Sequence, residues 1–441
     1  MKKKTTGKWL ALLMTVVLLA ACAAGCGGDN NSTPTDSNNS TPASQSAGKT
    51  KLVLWETSKD VLFTGIAEYE SEHEDVSIVI EAYPGNITEL LTMMKMALGA
   101  GTAPDMLCSP SDFMLSCGKL GYTIDLTPYG AAEIKDLFTD TCWNAANADP
   151  AGKIYSLPFD SNIINFIYNK DMFDAVGVSV PTTLDEMKDV AGKIKARYGN
   201  GLESGKWAYS GPFDAETSSY IAWGTFHYYW YLWRMGGDVF NADLTKCTIN
   251  SPEAVEALQL LVDFKNAGFC DLRENASEFW AGNVAMTNDV TIWYYQGVAA
   301  STAANYGVGV MPVLKEGVPP YTGLGLYCYA VTSQSKHPQE AYDFLKFYCT
   351  NEDYQIDYCK PLYFIPSLKH ALEGAYFKTD DWKIILEQNK YAKATPGVEG
   401  WKEMDEAIYR AIEAAMNGTS SAKDALDAAY NTITSLMQQQ G

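Results

Sequence analysis

The chain has 441 residues, 47% of them hydrophobic, which is enough for two ordinary domains with large buried cores. It carries 53 acidic against 33 basic residues, a net charge of −20, and that balance argues against nucleic acid, whose phosphates demand basic patches. Its 11 Trp and 27 Tyr stand against 16 Phe, an aromatic set whose flat faces and polar tips suit a wet, partly apolar ligand.

At the N-terminus, Lys2, Lys3, Lys4 and Lys8 precede an apolar run from Trp9 to Ala21. A basic stretch followed by so short a run reads as an export signal, too short to span a bilayer. The run ends in Leu19-Ala20-Ala21-Cys22, which resembles the lipobox of bacterial lipoproteins. That resemblance implies a signal peptide over 1–22 and a lipid anchor on Cys22, with Cys26 as a second candidate. Residues 23–50 are mostly Gly, Asn, Ser, Thr and Pro without apolar periodicity, a flexible tether. The expected location is the extracellular face of a bacterial cell membrane. The body cysteines, Cys108 to Cys359, form no C-x-x-C spacing, and several lie in apolar runs. Buried free thiols are expected ahead of a disulfide framework. His73, His227, His337 and His370 show no ligand spacing, so neither a metal site nor a cofactor is expected.

Lys51 to Trp55 and Val76 to Ala82 read as strands around a helix marked by Leu62, Ile66 and Tyr69. This β-α-β order predicts a parallel sheet. Asn86 with Glu89 has the form of a capping box, opening a helix with Leu90, Leu91, Met94 and Leu98 on its apolar face. Ala103 to Cys108 leads into another strand. The stretch Lys153 to Lys170 then reads as two β segments joined by Pro158-Phe159-Asp160, the second rich in β-branched and aromatic residues. Helical patterns flank it on both sides, so it is expected to cross from one lobe to another. Thr183 with Glu186, and Ser251 followed by Pro252, read as helix starts. Between them Trp223, Phe226, Tyr228, Tyr229, Trp230, Tyr231 and Trp233 crowd one helix, and most are expected in the core. Tyr306 to Met311 and Leu326 to Val331 are strands, and past Pro366 the pattern is almost purely helical.

Several stretches in this order resemble the family 1 extracellular solute-binding proteins, the maltose- and maltodextrin-binding lipoproteins that serve ABC sugar importers. They are Gly101-Thr102-Ala103-Pro104-Asp105-Met106, then Gly152 to Asp160 with Tyr168-Asn169-Lys170-Asp171, and Asn250 to Leu258. Phe279 to Met286 and Ser335 to Ala341 complete the set, so the resemblance spans about residues 51–440. It implies an α/β, bilobal periplasmic-binding-protein-like fold of type II, with two α/β lobes joined by hinge crossovers and a ligand cleft between them. Lobe 1 is expected over 51–158 with 320–366, and lobe 2 over 159–319 with 367–441. The implied partners are a small-molecule carbohydrate, an oligosaccharide, and the permease subunits of an ABC importer. A monomer is expected, tied to the membrane only through its lipid anchor.

A sugar offers C–H faces for aromatic stacking and hydroxyls for charged or amide partners. Trp55 and Glu56 end the first strand, where α/β sheets place ligands, and the family binds with this loop. Trp293 resembles the family's cleft Trp after the A-M segment, although Thr291-Ile292 stand where Gly often precedes it. Asp160 fits either a hydroxyl acceptor at the cleft rim or a turn residue. Trp223 starts the aromatic helix at the end that can face the cleft. Trp401 resembles the C-terminal cleft Trp of the maltodextrin type, with core as its other reading. Asp112 stands where the family often has an acidic residue. Gly323 to Gly325 suit either close backbone approach to a ligand or a tight strand entry. No catalytic residue is expected: no G-x-S-x-G, H-E-x-x-H or P-loop occurs, and no carboxylate pair stands out for a secreted glycosidase. A non-sugar solute such as a polyamine, ferric iron or a peptide is the alternative.

Overall fold

The computed structural model describes residues 49–56, 64–83, 90–199, 201–210, 221–270, 276–395, 398 and 400–440. The expected signal peptide, Cys22, Cys26, nearly all of the linker and the cap at Asn86 and Glu89 lie outside the described residues.

β1 (Thr50–Glu56) and β2 (Val76–Ala82) pair in parallel, with the helix Ile66–Glu72 as the crossover between them. β3 (Met106–Pro110) lies parallel to β1 on its other side, reached through the helix Leu90–Ala100. Beyond it the sheet turns antiparallel. β8 (Thr322–Val331) pairs with β3, and β4 (Leu157–Asn169) pairs with β8. β6 (Val284–Val290) and β7 (Tyr306–Gly309) pair with β4, and β5 (Trp207–Tyr209) pairs in parallel with β6. The backbone order is β2-β1-β3-β8-β4-β6-β5.

β4 decides the architecture. From Leu157 to Ile163 it pairs with β8, whereas from Ile164 to Tyr168 it pairs with β6. One strand therefore serves two lobes. The sequence predicted two segments meeting at Pro158-Phe159-Asp160; the structure has one strand whose register shifts between Pro158 and Asp160. Proline has no N–H to give a ladder, and a bulge absorbs that loss without ending the strand. The short β9 (Ile365–Pro366) pairs with Asp160 and Ser161, and β10 (Ala392–Lys393) pairs with Thr322 and Gly323.

Alternation along the strands builds separate cores. Leu52, Leu54, Leu157, Phe159, Tyr329, Phe344 and Leu368 share one. Ile164, Phe166, Trp230, Trp233, Leu258, Met404 and Ile433 share a second, which holds the helices Ile221–Arg234, Pro252–Asn266, Trp401–Met416 and Ala422–Gln440. A third takes Trp55 and Leu107 from one end, Ile163 and Leu324 from the crossing strands, and Ile167 and Trp382 from the other. Full burial of each large apolar side chain contributes roughly 1.5–3 kcal/mol, so each core stabilises its own part of the chain. The result is a bilobal α/β fold with β4 and β8 as hinge crossovers.

Local signals hold in detail. Thr183 Oγ1 accepts from Glu186 N at 3.3 Å, while Glu186 Oε2 accepts from Thr182 N at 2.7 Å, one residue earlier than a strict capping box. Ser251 Oγ accepts from Ala254 N at 3.2 Å, with Pro252 first in the helix. Cys108, Cys117, Cys142, Cys247, Cys270, Cys328, Cys349 and Cys359 are all free and buried.

Candidate functional site

The parallel strands end along one edge. Glu56 is the last residue of β1, Tyr83 follows β2, and Asp112 stands second in the helix Ser111–Lys119 directly after β3. This is the carboxyl edge where α/β sheets bind ligands. Asp160 joins them from the β4 bulge, paired across the ladder with Tyr327 of β8. Glu56 is buried and accepts from Tyr329 Oη at 3.1 Å. The half-buried Tyr327 ties the group together. Its phenol is held well above the usual range by burial, then by the Cys108 thiol and the carboxyl groups of Asp160, Glu56 and Asp112. The charges of Asp160, Glu56 and Asp112 thus all lie within electrostatic reach of one tyrosine.

Asp160 is only 2% exposed, so it lies beneath the cleft rim where the sequence placed it. Its Oδ2 has no hydrogen-bond partner among the described residues. Burial and then the Glu56 charge raise its pKa to about 8, against a lowering hydrogen bond from the Tyr327 backbone. Asp112 is half-buried; its Oδ1 accepts from Phe113 N at 3.0 Å and its Oδ2 from Thr395 Oγ1 at 3.1 Å. Burial raises its pKa against those bonds.

These shifts give a pH prediction. A carboxyl whose folded pKa exceeds its unfolded value keeps its proton when the unfolded chain has lost it, so stability falls as pH rises between the two values. For Asp160 that window runs from the ordinary carboxyl range to about 8, worth on the order of 5 kcal/mol in total. Asp405, raised to about 6, contributes in the lower part of the same window. Urea midpoints of the native chain should therefore fall steadily from about pH 5 to about pH 8. Asp160→Asn should flatten the part above about pH 6 and leave a shallower fall below it, the share of Asp405. A native profile already flat above pH 6 would show that Asp160 holds no proton there.

The tryptophans expected at the site lie on later helices. Trp293 stands near the start of the helix Thr291–Ala300 and is 44% exposed. That helix is pinned to the crossing strand: Thr291 N donates to Asn162 Oδ1 at 3.1 Å, and Asn165 Nδ2 donates to Thr291 Oγ1 at 3.0 Å. Trp401 opens the helix Trp401–Met416, half-buried, its ring 5.9 Å from Tyr229 and 6.2 Å from Phe240. One turn on, Asp405 Oδ1 accepts from Tyr229 Oη at 2.6 Å. Burial raises the Asp405 pKa against hydrogen bonds from Thr225 and Tyr229, and the Asp112 charge adds to the rise. Asp112 and Asp405 therefore lie within electrostatic reach of each other.

Two expected contacts are placed elsewhere. Trp55 is 8% exposed and packs with Leu90, Met94 and Leu107. Side chains alternate along β1, so Glu56 and Trp55 point to opposite faces and only Glu56 joins the carboxylates. At Gly323, a Cβ would lie 2.6 Å from the Phe226 ring and 2.6 Å from Trp230 Nε1. Those rings pack closely over Gly323, which suits the tight strand entry. The Trp223 side chain lies outside the described residues; its helix, Ile221–Arg234, buries Tyr228, Tyr229, Trp230, Tyr231 and Trp233 as expected. Sequence reasoning missed Tyr83, Tyr327, Asn162 and Asp405. Of these Asp405 left a signal, an acidic residue three positions before Ile408 on the buried stripe of its helix.

A two-lobed α/β fold whose halves share long strands is the architecture of cleft-type binding proteins. The chain belongs to the bacterial extracellular solute-binding protein family, whose profile matches residues 65–384. The galactooligosaccharide-binding protein of Bacillus subtilis (strain 168) is 24% identical over 412 residues, 89% of this chain and 91% of that protein. A binding protein of Brucella abortus (strain 2308) is 26% identical over 360 residues, 78% of this chain and 82% of that one. Among solved structures, the cyclic alpha-maltosyl-1,6-maltose binding protein from Arthrobacter globiformis superposes with a TM-score of 0.75 at 25% identity, covering 89% of this chain and 100% of that one.

Proposed function

We propose that this chain captures a carbohydrate, an oligosaccharide, between its lobes and delivers it to the permease of an ABC importer. Exposed Trp293 stacks on a sugar face while Glu56, Asp112 and Asp160 receive its hydroxyl protons. The observation that carries the reading is the placement of Glu56 and Asp112 at the strand ends with Asp160 paired across the ladder to Tyr327, while Thr291 of the Trp293 helix is pinned to the same crossing strand. The sugar-binding names of its relatives support it. Closing the lobes about β4 and β8 excludes water from the ligand and presents the permease with one defined shape. The chain binds without turnover, acts as a monomer, and is anchored through Cys22 to the outer face of the membrane. Lobe 1 takes 51–158 and 320–366 and runs on through Ala371, because Leu368 and Ala371 pack with Leu52 and Leu157. Lobe 2 takes 159–319 and the chain after Ala371 to residue 441.

Thermal-shift and calorimetric titration against mono- and oligosaccharides tests this reading. At least one sugar should raise the melting temperature and bind saturably with no product released. Stabilisation by spermidine or ferric iron alone would overturn the carbohydrate assignment. Release of a shorter sugar would make the protein an enzyme.

A further inference from the structure

Arg234 ends the helix Ile221–Arg234 and is only 1% exposed. Its Nε donates to Trp230 O at 3.1 Å and its Nη1 to Pro312 O at 3.3 Å. The guanidinium carbon lies 4.9 Å from the centre of the Tyr231 ring. Nη2 has no hydrogen-bond partner among the described residues. No described carboxylate offsets the charge either: the groups that act on it are the phenols of Tyr231 and Tyr209. Burial keeps both phenols neutral, with Tyr231 pushed up to about 12 and Tyr209 held well above the ordinary range. Asp289 adjoins the cluster in sequence, but side chains alternate along β6 and its Oδ1 accepts from Val290 N at 2.8 Å. A guanidinium stays protonated in proteins, and a buried charge without a counterion is strongly unfavourable.

The phenols lead from Arg234 to a second unsatisfied group. Tyr231 Oη donates to Tyr209 Oη at 2.7 Å, and the buried Asn288 amide of β6 meets the same Tyr209 oxygen at the end of β5. With Nδ2 turned to that oxygen, Asn288 Oδ1 has no partner, and the proton of Tyr209 has no acceptor among the described residues. Exchanging the amide oxygen and nitrogen, which have the same shape, corrects both faults. Tyr209 then donates to Oδ1, and Nδ2 becomes free to donate. The two groups left over, Arg234 Nη2 and Asn288 Nδ2, are both donors, and one of them carries a charge.

We propose that Arg234 and Asn288 hold a small inorganic anion, of the size and charge of chloride, beside the Tyr231–Tyr209 pair. A water molecule accepts from two donors as well, but it leaves the guanidinium charge uncompensated and brings two further protons to a place short of acceptors. A carboxylate or phosphate compensates the charge, yet its additional oxygens need donors of their own once buried. A monatomic anion needs only the two donors and supplies the missing charge. It ties the end of the Ile221–Arg234 helix to β5 and β6, and it stands independently of the saccharide reading.

Urea unfolding of the intact protein in sodium chloride and in sodium methanesulfonate, whose anion is larger, tests this at equal ionic strength. The folding constant should be about tenfold or more higher in chloride, and the gain should grow with chloride concentration as binding to the folded state requires. Arg234→Met, which keeps the length of the side chain without its charge, should erase the difference between the two salts. Asn288→Asp places a fixed carboxylate beside the guanidinium and should make stability independent of chloride, which serves if Arg234→Met does not fold. Crystals of the native chain grown in sodium bromide should show an anomalous peak within hydrogen-bond distance of Arg234 Nη2. An equal folding constant in both salts would overturn the proposal. So would a chloride gain that persists in Arg234→Met, which is a general salt effect, or bromide peaks at exposed positions alone, which mark adventitious ions only.

Discussion

Trp293→Ala should weaken saccharide binding by roughly tenfold or more, about 1.4 kcal/mol or above, with the melting temperature almost unchanged. The size follows from the role of a stacking ring: it removes a flat apolar face from water against the sugar's C–H face, and alanine leaves that face wet. The split between affinity and stability follows from position. At 44% exposed, the ring has little core to lose, and the fixing of its helix runs through Thr291, Asn162 and Asn165, which the substitution leaves intact. Trp293→Phe should recover part of the affinity, since a smaller ring still stacks. Titration of both variants with the strongest sugar found for the native chain gives the result. Unchanged affinity in Trp293→Ala would remove this residue from the ligand site.

Trp55→Ala should do the opposite, costing about 3–5 kcal/mol of stability as a large buried ring leaves a cavity. Trp55 packs among Leu90, Met94 and Leu107 in the core that also holds Ile163 and Leu324 of the crossing strands. The loss should therefore reach the hinge as well as the first lobe. Scanning calorimetry and urea unfolding should show a lowered midpoint, with Trp55→Phe much closer to the native chain. A midpoint that does not move, with binding abolished, would put the ring in the cleft after all. Comparing the two tryptophans in one experiment separates a residue that touches ligand from one that supports the strand beside it.

Much of the fold was legible because its signals are local. The β-α-β order at the N-terminus, the caps at Thr183 and Ser251, and the apolar stripe of the last helices all depend on residues a few positions apart. The crossing at Lys153 to Lys170 was legible as well, since a run from Ile163 to Tyr168 so rich in β-branched and aromatic residues suits a strand covered on both faces. Its single bulged course was not. Whether a proline ends a strand or is absorbed depends on the neighbour across the ladder, and here that neighbour is β8, more than 150 residues away in sequence. The site was read in part for the same reason. Glu56, Asp112 and Asp160 were expected from strand ends and from resemblance to the family, while Tyr327 and Tyr83 carry no local mark.

The sequence by itself determined that this is an acidic, aromatic-rich α/β chain with an export-type N-terminus and two lobes' worth of core. Periodicity also determined which residues share a face of each strand. Which face looks into the cleft was a matter for the tertiary structure alone. It turned Trp55 inward and left Glu56 at the strand end, covered Gly323 with Phe226 and Trp230, and sank Asp160 beside Glu56. The physical reason is that burial, and with it the charge state of a carboxyl group, depends on chains that meet only after folding.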